Sequence, residues 1–212
     1  MNAEPREVEV SARTAEEAAR QALVELGLQP GEAAVTVLEE GGRGWLGLSV
    51  RSARVRVRAL SKAEAAQHFV RRLAVLLESQ IEVAAAEDGD ADDRVVRVSV
   101  QSDDSGRWIG RGGHTLAAIE CLCDAVTTRI SHDRRRLILD VNGYRAERER
   151  SLEGLARWHA QHVLQSGKPV TLEPMSPSDR RIVHLTVQGI AGVRSESTGE
   201  GAQRRVVLTP DQ

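Results

Sequence analysis

The apolar residues of this chain fall into short segments that change repeatedly between strand and helix spacing. Val8 and Val10 alternate with glutamates, as in a half-buried strand. Residues 14–27 then carry a capping threonine, alanines and leucines at helical spacing, and a terminating glycine. No apolar run approaches the ~20 residues that a membrane-spanning helix needs. The pattern predicts an α+β chain, and its 212 residues suffice for several small domains.

We predict three small domains, at residues 1–60, 61–143 and 144–212. The first has the order β-α-β-β, and its last strand alternates Val55 and Val57 with arginines. Those arginines lie either on a solvated face or against phosphates. The second domain has the order α-β-β-α-α-β, and the third places helices on a small sheet.

Two helices of the second domain have apolar faces that the spacing defines. The first helix follows the cap Ser61, and we expect it to bury Ala65, Phe69, Leu73, Leu76 and Leu77. The later helix, at about 115–130, places on one side Leu116, Ile119, Leu122, Cys123, Val126 and Ile130. We expect both cysteines, Cys121 and Cys123, to be small buried hydrophobes rather than a disulfide or a zinc site.

Aromatic residues make up only 2% of the chain. RRM and cold-shock domains stack bases on several exposed rings, so these classes of protein are excluded. We expect Phe69 and Trp158 to lie in the core, whereas Trp108 lies beside a candidate nucleic-acid loop and either packs in the core or stacks on a base. The net charge of −2 argues against a protein that coats DNA, but it leaves room for a local basic site.

A G-x-x-G segment, Gly110-Arg111-Gly112-Gly113, stands directly before a predicted helix. Glycines let a backbone approach a phosphate, and the N–H groups at a helix start point at an anion. Other G-x-x-G segments occur, but this one follows α-β-β and precedes a helix and a strand, which is the order of the type II KH domain that it resembles. Such a loop clamps about four nucleotides of single strand. The alternative is a tight turn between helices. A Walker A motif is excluded because the chain has no Gly-Lys-Ser/Thr, and a dinucleotide-binding motif is excluded by the glycine spacing.

Arg180 and His184 stand four residues apart on a predicted helix, so both side chains share one face. Arginine presents a planar fork to phosphate, and histidine can donate a hydrogen bond or stack on a base. The surrounding segment 172–184 resembles the single-strand-binding domain that is named for its Arg-xxx-His motif. The alternative is an arginine and a histidine on an ordinary solvated helix.

The chain offers no organised set of catalytic residues. His159 and His162 are expected to face the core, because no cluster of cysteines or carboxylates accompanies them as metal ligands. We predict no enzymatic activity, no metal site and no cofactor. The polar start has no secretion signal, so we expect a cytoplasmic protein.

In this order, the three segments resemble the Jag family, also called SpoIIIJ-associated proteins or KhpB/EloR. In the first domain the resemblance rests on Val8–Val10, the 14–27 helix and the Gly44–Gly47 turn around Trp45. Elsewhere it rests on Ile109–Leu116, Leu139–Arg145, Val170–Met175 and Arg180–His184. Many members carry a long linker after the first domain. Only residues near 59–62 intervene here, which puts regulation or membrane tethering through such a linker in doubt.

The resemblance implies a cytoplasmic single-stranded RNA-binding protein, an RNA chaperone or post-transcriptional regulator. It also implies that the protein acts with a small single-KH partner called KhpA, and that it has a role in cell elongation and peptidoglycan synthesis. The first domain would dock another protein. Two other classes remain open. One is an adaptor linked to the YidC/SpoIIIJ insertase or the cell-wall machinery, in which KH units associate with each other. The other is a single-stranded DNA binder.

We assign the RNA-binding residues to two groups. The KH loop and groove, with Ile119 also on the groove floor, comprise Arg107, Ile109, Gly110, Arg111, Gly112, Gly113, His114 and Leu116. The Arg-xxx-His group comprises Arg180, Arg181 and His184. We expect the loop to fix the sugar-phosphate chain, the groove to receive bases and the second group to hold a further stretch. Binding should be sensitive to salt and show little sequence specificity.

Overall fold

The computed structural model describes residues 6–43, 50–88 and 95–211. They group into two compact units. One contains the chain up to Trp108 together with Thr115–Asn142, and the other contains Ile109–His114 and the chain from Gly143 onward. Both units mix helices with small sheets, which confirms the predicted α+β class. We retain the domain boundaries after residues 60 and 143 as a proposal.

The N-terminal segment forms a three-stranded antiparallel sheet with a helix on one face. Its elements are β1 Glu7–Ala12, α1 Ala15–Leu26, β2 Ala33–Glu39, the short strands β3 Gly42–Arg43 and β4 Val50–Arg51, and β5 Ala53–Ala59. Strand β5 lies between β1 and β2. Its Val55 and Val57 are completely buried against Ala18 and Ala22 of α1, the helix that Thr14 caps. The alternation in the sequence therefore predicts this sheet correctly.

The arginines of β5 point away from that core and are paired with carboxylates. Arg56 contacts Glu9 at 2.6 Å, and Arg54 bonds the same carboxylate. Arg58 contacts Glu64 at 3.0 Å, and its guanidinium hydrogen bonds lower the pKa of Glu64 to about 2. Because these guanidiniums already have partners, the structure favours the solvated strand face over a phosphate-binding row.

The middle segment has the predicted order α-β-β-α-α-β. Its elements are α2 Lys62–Leu76, β6 Ile81–Asp88, β7 Val95–Ser102, α3 Ser105–Ile109, α4 His114–Ser131 and β8 Leu137–Val141. The sheet has the order β6-β7-β8, with β7 antiparallel to β6 and parallel to β8. Alternate residues of β7 and β8 are buried, namely Val96, Val98, Val100, Leu137, Leu139 and Val141. Strand β8, the last element of the middle segment, therefore pairs with the central strand β7.

The buried face of α2 differs from the predicted one. The helix buries Ala65, Ala66, Val70 and Ala74, whereas Leu76 is 80% exposed. Phe69, Leu73 and Leu77 are half-buried, so the expected core position of Phe69 is also wrong. Small side chains let a helix approach its sheet closely, and here they take the inner face while the leucines flank it.

Two further expectations for α4 are wrong in the same way. Leu122 is 59% exposed and Cys121 is exposed, whereas Cys123 is completely buried. Burial raises the pKa of the Cys123 thiol to about 12, so this cysteine is an inert core residue. The apolar stripe of the helix is narrower than the sequence pattern suggests, and residues at its edge face solvent.

The N-terminal and middle segments share a hydrophobic cluster. Leu28 and Ala59 pack with Ala65 of α2 and Ile130 of α4. The Arg6 guanidinium also donates to the Ile130 carbonyl at 3.2 Å. A short connection between the two segments is consistent with this direct packing, and it explains how both fall into one compact unit.

Lys62 is a buried lysine at the start of α2. Its ammonium donates to the Thr128 hydroxyl at 3.0 Å and to the Asp133 carbonyl at 3.2 Å, and it contacts the Asp124 carboxylate at 2.7 Å. A buried charge is tolerated only when paired and hydrogen-bonded, as it is here. Lys62 therefore joins α2 to the end of α4.

The C-terminal segment packs two helices on a three-stranded sheet. Its elements are α5 Tyr144–Ser166, β9 Val170–Thr171, α6 Pro177–Gln188, β10 Val193–Thr198 and β11 Arg205–Pro210. The sheet has the order β10-β11-β9. The core combines residues of both helices and the sheet, including Leu152, Ala156, Ala160, Val163, Val183, Val187, Val206 and Leu208.

The two tryptophans in the described ranges lie in opposite environments. Trp108 is completely buried, which confirms core packing and rules out base stacking. Trp158 is 63% exposed, so its expected core position is wrong. The predicted Gly44–Gly47 turn with Trp45 lies outside the described residues. Among the helices that are described, none has both the length and the apolar character to cross a membrane.

Candidate nucleic-acid interface

The glycine loop is a single 3-10 turn, Arg111–Gly113, between α3 and α4. Three glycines adopt positive φ, with 69° at Gly110, 58° at Gly112 and 80° at Gly113. L-residues rarely take up such angles, so the glycines are needed for this backbone path. The loop leads directly into the 18-residue α4, whose first N–H groups carry the positive end of the helix dipole.

Gly113 also makes a close approach to Tyr144, the first residue of α5. A Cβ atom on Gly113 would lie 3.0 Å from Tyr144 Cε1 and 3.2 Å from its hydroxyl. Gly112 has no comparable neighbour among the described residues, since the nearest atom, on His114, would be 3.9 Å from its Cβ. The last glycine is therefore fixed by both conformation and packing, and the preceding one by conformation alone.

The charged side chains around the loop differ in their availability. Arg111 and His114 are exposed, and Arg111 has no ion pair or hydrogen bond with any described residue. Arg107 instead donates to the Leu77 carbonyl at 3.0 Å and to the Asp104 carboxylate at 3.2 Å. Arg111 is therefore available to a ligand, whereas part of Arg107 is used to hold the turn before the loop.

The predicted groove residues are less accessible than the loop itself. Leu116 is only 2% exposed and Ile119 only 8%, whereas Ile109 is half-buried. The side chains of Leu116 and Ile119 belong to the apolar core beneath the start of α4. Their contribution to a ligand site is to set the position of the helix, and of these three residues only Ile109 is open to direct base contact.

A hydrogen-bond network that the sequence analysis missed holds the turn in front of the loop. The Trp108 indole donates to the Ser79 hydroxyl at 3.0 Å, and this hydroxyl lies 3.3 Å from that of Ser102. Asn142 accepts from the Ser102 N–H at 2.9 Å and donates to the Ser102 carbonyl at 2.7 Å. Asn142 has a positive φ of 52°, a conformation for which asparagine is favoured.

The Arg-xxx-His residues lie on α6, in the same compact unit as the loop. Ser176 caps the helix by accepting from the Asp179 N–H at 3.1 Å, as predicted. Arg181 is exposed and Arg180 is half-buried. The Nε atom of Arg180 is buried without a hydrogen-bond partner among the described residues. No hydrogen bond or ion pair joins the Arg180 side chain to a described residue, so the exposed part of this side chain is available to a ligand oxygen.

Both ring nitrogens of His184 are already bound. Nδ1 lies 2.7 Å from the Ser195 hydroxyl and Nε2 lies 2.8 Å from the Ser197 hydroxyl, both on β10. Burial lowers the pKa of His184, and the positive charge of Arg180 lowers it further. The imidazole is therefore neutral near pH 7, with one nitrogen donating and the other accepting. His184 joins α6 to β10 rather than presenting a free donor.

An ion pair supports the beginning of α6. Asp179 is buried, and its carboxylate lies 3.0 Å from Nη2 of Arg148 on α5. Neither this pair nor the two serines of β10 were singled out in the sequence. The serines stand at alternate positions of a strand, which places them on one face, and this alternation is the signal that could have found them.

No group of three or more histidine, cysteine or acidic side chains is placed to hold a metal ion within the ranges that the structure covers. His159 and His162 differ from the prediction that both face the core. His159 is half-buried, whereas His162 is exposed. Burial lowers the pKa of His159, and the neighbouring His162 adds to the shift.

Comparison with known proteins assigns these segments to families. Family models match the Jag N-terminus at residues 10–59, the KH domain of KhpA/KhpB at residues 65–141 and the domain named for its Arg-xxx-His motif at residues 150–210. The chain is 31% identical over 203 residues to "RNA-binding protein KhpB" of Clostridium symbiosum, which covers 95% of this chain and 90% of that protein. The chain belongs to the KhpB family.

Other KhpB proteins align with it over different shares of their length. The chain is 30% identical over 208 residues to the KhpB of Bacillus subtilis strain 168, covering 96% of this chain and 98% of that one. It is also 30% identical over 129 residues to the KhpB of Lactiplantibacillus plantarum. This match covers 61% of this chain and 40% of that protein. The resemblance to the Jag family drawn from the sequence is thus confirmed, and the three matched domains occur in the predicted order.

Proposed function

We propose that this protein binds single-stranded RNA through the glycine loop and α6. The observation that carries the proposal is the loop itself, with three glycines at positive φ, an exposed Arg111 without a partner among the described residues, and the start of a long helix behind it. The match to a KH domain and the relatives named RNA-binding proteins support RNA as the ligand.

In the loop, the backbone and Arg111 act on the sugar-phosphate chain. The glycines have no side chains that would hold the strand away, so a phosphate can reach the N–H groups at the start of α4. Arg111 adds a planar cation that can hydrogen-bond phosphate oxygens in a bidentate way. Gly110, Gly112, Gly113 and His114 shape this site, and Arg107 and Ile109 border it.

On α6, Arg180 and Arg181 supply the charge for a second stretch of the strand. His184 keeps Ser195 and Ser197 in place through its two hydrogen bonds. Two weak sites on one chain gain affinity from effective concentration, because the second contact forms within the complex. Little sequence specificity is expected from contacts that are mainly to phosphate.

In the cell, we infer a cytoplasmic RNA chaperone or post-transcriptional regulator and not an enzyme. Its membership of the KhpB family supports a role in cell elongation and peptidoglycan synthesis. The Jag N-terminal domain would dock another protein, and the direct packing of that domain on α2 and α4 would fix its position relative to the KH domain.

Association with a small KH protein of the KhpA type is a second component of the proposal. Leu122 of α4 is 59% exposed, and Val75 and Leu76 at the end of α2 are 77% and 80% exposed. Apolar side chains of this size on a KH surface favour contact with another KH unit, in a heterodimer or in self-association. An adaptor function in which RNA is incidental would rest on the same surface.

The RNA-binding proposal is tested with the double variant Arg111→Asp/Gly112→Asp. Aspartate is tolerated at the positive φ of Gly112 and reverses the charge of the loop. We expect the affinity for single-stranded RNA to fall by about tenfold or more, and the salt dependence of binding to become weaker. Fluorescence anisotropy at several salt concentrations measures both quantities.

The matched control is Arg20→Glu/Gln21→Glu, which makes the same change of charge at exposed positions of α1. It should leave RNA affinity nearly unchanged. A folded loop variant with wild-type affinity would contradict the proposal. Competition between RNA and DNA oligonucleotides of the same sequence decides between RNA and single-stranded DNA as the preferred ligand.

A further inference from the structure

Trp158 is an exposed aromatic side chain in a chain that has few of them. Its indole is 63% exposed on α5. The His159 ring meets it edge-on with centroids 4.6 Å apart, and the His162 ring is nearly parallel to it at 9° with centroids 6.1 Å apart. Two histidine rings therefore border the indole, and most of its surface remains open to solvent.

Trp158 belongs to a continuous row along α5. Positions three and four apart on a helix lie on the same side, and this spacing joins Tyr144, Arg148, Ser151, Leu155, Trp158 and His162. We refer to these six residues as the α5 strip. Its last four members are exposed, and Tyr144 and Arg148 are half-buried.

The charge on α5 is divided between this strip and the rest of the helix. The strip itself contains no carboxylate, and its one arginine, Arg148, is paired with Asp179 of α6. Of the acidic residues of α5, Glu149 and Glu153 lie elsewhere on the helix, whereas Glu147 borders the strip, because it stands three residues after Tyr144 and four before Ser151. Glu147 and Glu153 are each paired at 2.9 Å with an arginine of the same helix. A polyanion that follows the strip therefore passes one carboxylate of α5, and an arginine neutralises its charge.

The strip begins at the glycine loop. Tyr144 is the residue that Gly113 approaches, with its ring 3.0 Å from the position of a Gly113 Cβ. Trp158 stands fourteen residues further along α5, which corresponds to about 21 Å at the rise of an α-helix. A strand held by the loop and running along α5 reaches the indole after the few nucleotides that the loop itself clamps.

We propose that Trp158, with His162 beside it, is a base-stacking site that extends the RNA-binding surface from the glycine loop along α5. The inference rests on the proposed function, because it assigns a further subsite to the same ligand. Stacking suits a ligand of unspecified sequence, since every base has a π-face. Continuity with the loop favours RNA over a protein as the occupant, and the one carboxylate of α5 at the edge of the strip is paired with an arginine.

The test compares Trp158→Ala and Trp158→Phe in the full chain, with single-stranded RNA of two lengths. For RNA of about 20 nucleotides, we expect Trp158→Ala to lower the affinity about tenfold and Trp158→Phe to lower it less, because a ring remains. For RNA of about four nucleotides, which the loop alone can hold, we expect no change. Binding of the longer RNA should quench tryptophan fluorescence, and most of this quenching should be lost in Trp158→Phe.

The salt dependence of RNA affinity distinguishes a stacking contact from a contact with phosphate. Trp158→Ala should leave the slope of log affinity against log salt unchanged, because no phosphate contact is removed. Val24→Ala is the matched control, since it truncates another exposed apolar side chain, 81% exposed, on α1, which is not part of the proposed RNA-binding surface. It should not alter RNA binding. Circular dichroism checks that the variants are folded.

The outcomes distinguish this inference from the proposed function. If Arg111→Asp/Gly112→Asp weakens binding and Trp158→Ala does not, RNA binding stands and the stacking site is wrong. If Trp158→Ala weakens both lengths of RNA equally, the indole does not act beyond the loop and the inference is again wrong. An unchanged affinity in both loop and Trp158 variants contradicts the proposed function as well.

Discussion

The glycine loop and the Arg-xxx-His helix lie in the same compact unit but relate differently to the fold. In the loop, Arg111 is exposed and has no partner within the described ranges, and the glycines have no side chains that cover the backbone. On α6, both nitrogens of His184 are bound to serine hydroxyls, and Arg180 is half-buried. The loop therefore contributes little side-chain packing, whereas the helix motif is part of the structure of its domain.

This difference matters for how a motif should be interpreted. A group without a partner in the protein is free to bind a ligand, and its removal costs affinity rather than stability. A group whose hydrogen bonds are already made acts through the geometry that it maintains, and its removal costs stability first. The two halves of the candidate interface should therefore respond to mutation in opposite ways.

The largest effect on stability is expected for His184→Ala. The substitution leaves the hydroxyls of Ser195 and Ser197 without their partner and opens a gap between α6 and β10. We expect a loss of about 2 kcal/mol in the free energy of unfolding. Chemical denaturation of the full chain measures this loss, and hydrogen exchange of the amides in β10 reports whether it is local.

His114→Ala tests the contrast between the loop and the Arg-xxx-His helix. His114 is an exposed histidine directly after the loop, so its truncation should change stability by less than about 0.5 kcal/mol. Equal destabilisation by the two histidine variants would mean that His184 is no more integrated into the fold than a loop residue.

A smaller effect is expected for Gly113→Ala. Alanine at a φ of 80° is strained, and its Cβ would lie 3.0 Å from the Tyr144 ring. The backbone strain alone costs about 1 kcal/mol. Gly112→Ala is the matched control, because φ is also positive there while the nearest atom is 3.9 Å away. Thermal unfolding should therefore show Gly113→Ala as the less stable of the two.

The double variant Gly113→Ala/Tyr144→Ala sharpens this prediction. Removing the ring relieves the contact but not the backbone strain, so the combined loss should be smaller than the sum of the two single losses. Additive losses would show that Tyr144 does not restrict the last glycine of the loop.

Much of the fold could be predicted from the sequence because its signals are local. The alternation around Val55 and Val57, the helix caps at the starts of α1, α2 and α6, and the motif order indicate the elements and their succession. The errors concern which flank of a helix is buried. Leu76, Leu122 and Trp158 lie at the margins of apolar faces, where smaller side chains nearer the centre take the buried positions.

The site could be predicted in its location but not in its internal bonding. The glycine spacing locates the loop, and the i, i+4 spacing of Arg180 and His184 locates the helix motif. The partners of His184 lie on a strand that follows α6, and no local pattern links them to it. The Trp108 network with Ser79 and Asn142 is equally non-local. Such contacts depend on tertiary packing, which spacing alone does not encode.

The smallest expected effect is a pH dependence of stability that arises from His184. Burial and Arg180 lower the pKa of His184 in the folded state, whereas in the unfolded chain it keeps its ordinary value near 6.5. Below that pH the unfolded state takes up the proton first, so the free energy of unfolding falls as the pH decreases. Above about pH 7 both states are neutral and the stabilisation is complete.

Thermal unfolding of wild type and His184→Gln at about pH 7.5 and about pH 5.5, on either side of the ordinary histidine pKa, measures this dependence. We expect the melting temperature of the wild type to fall more than that of the variant between the two values. His159, whose pKa is also lowered by burial, is present in both proteins and contributes equally to each. The difference between the two falls therefore isolates His184. Equal falls in the two proteins would show that burial and Arg180 do not lower the pKa of His184 in the folded state.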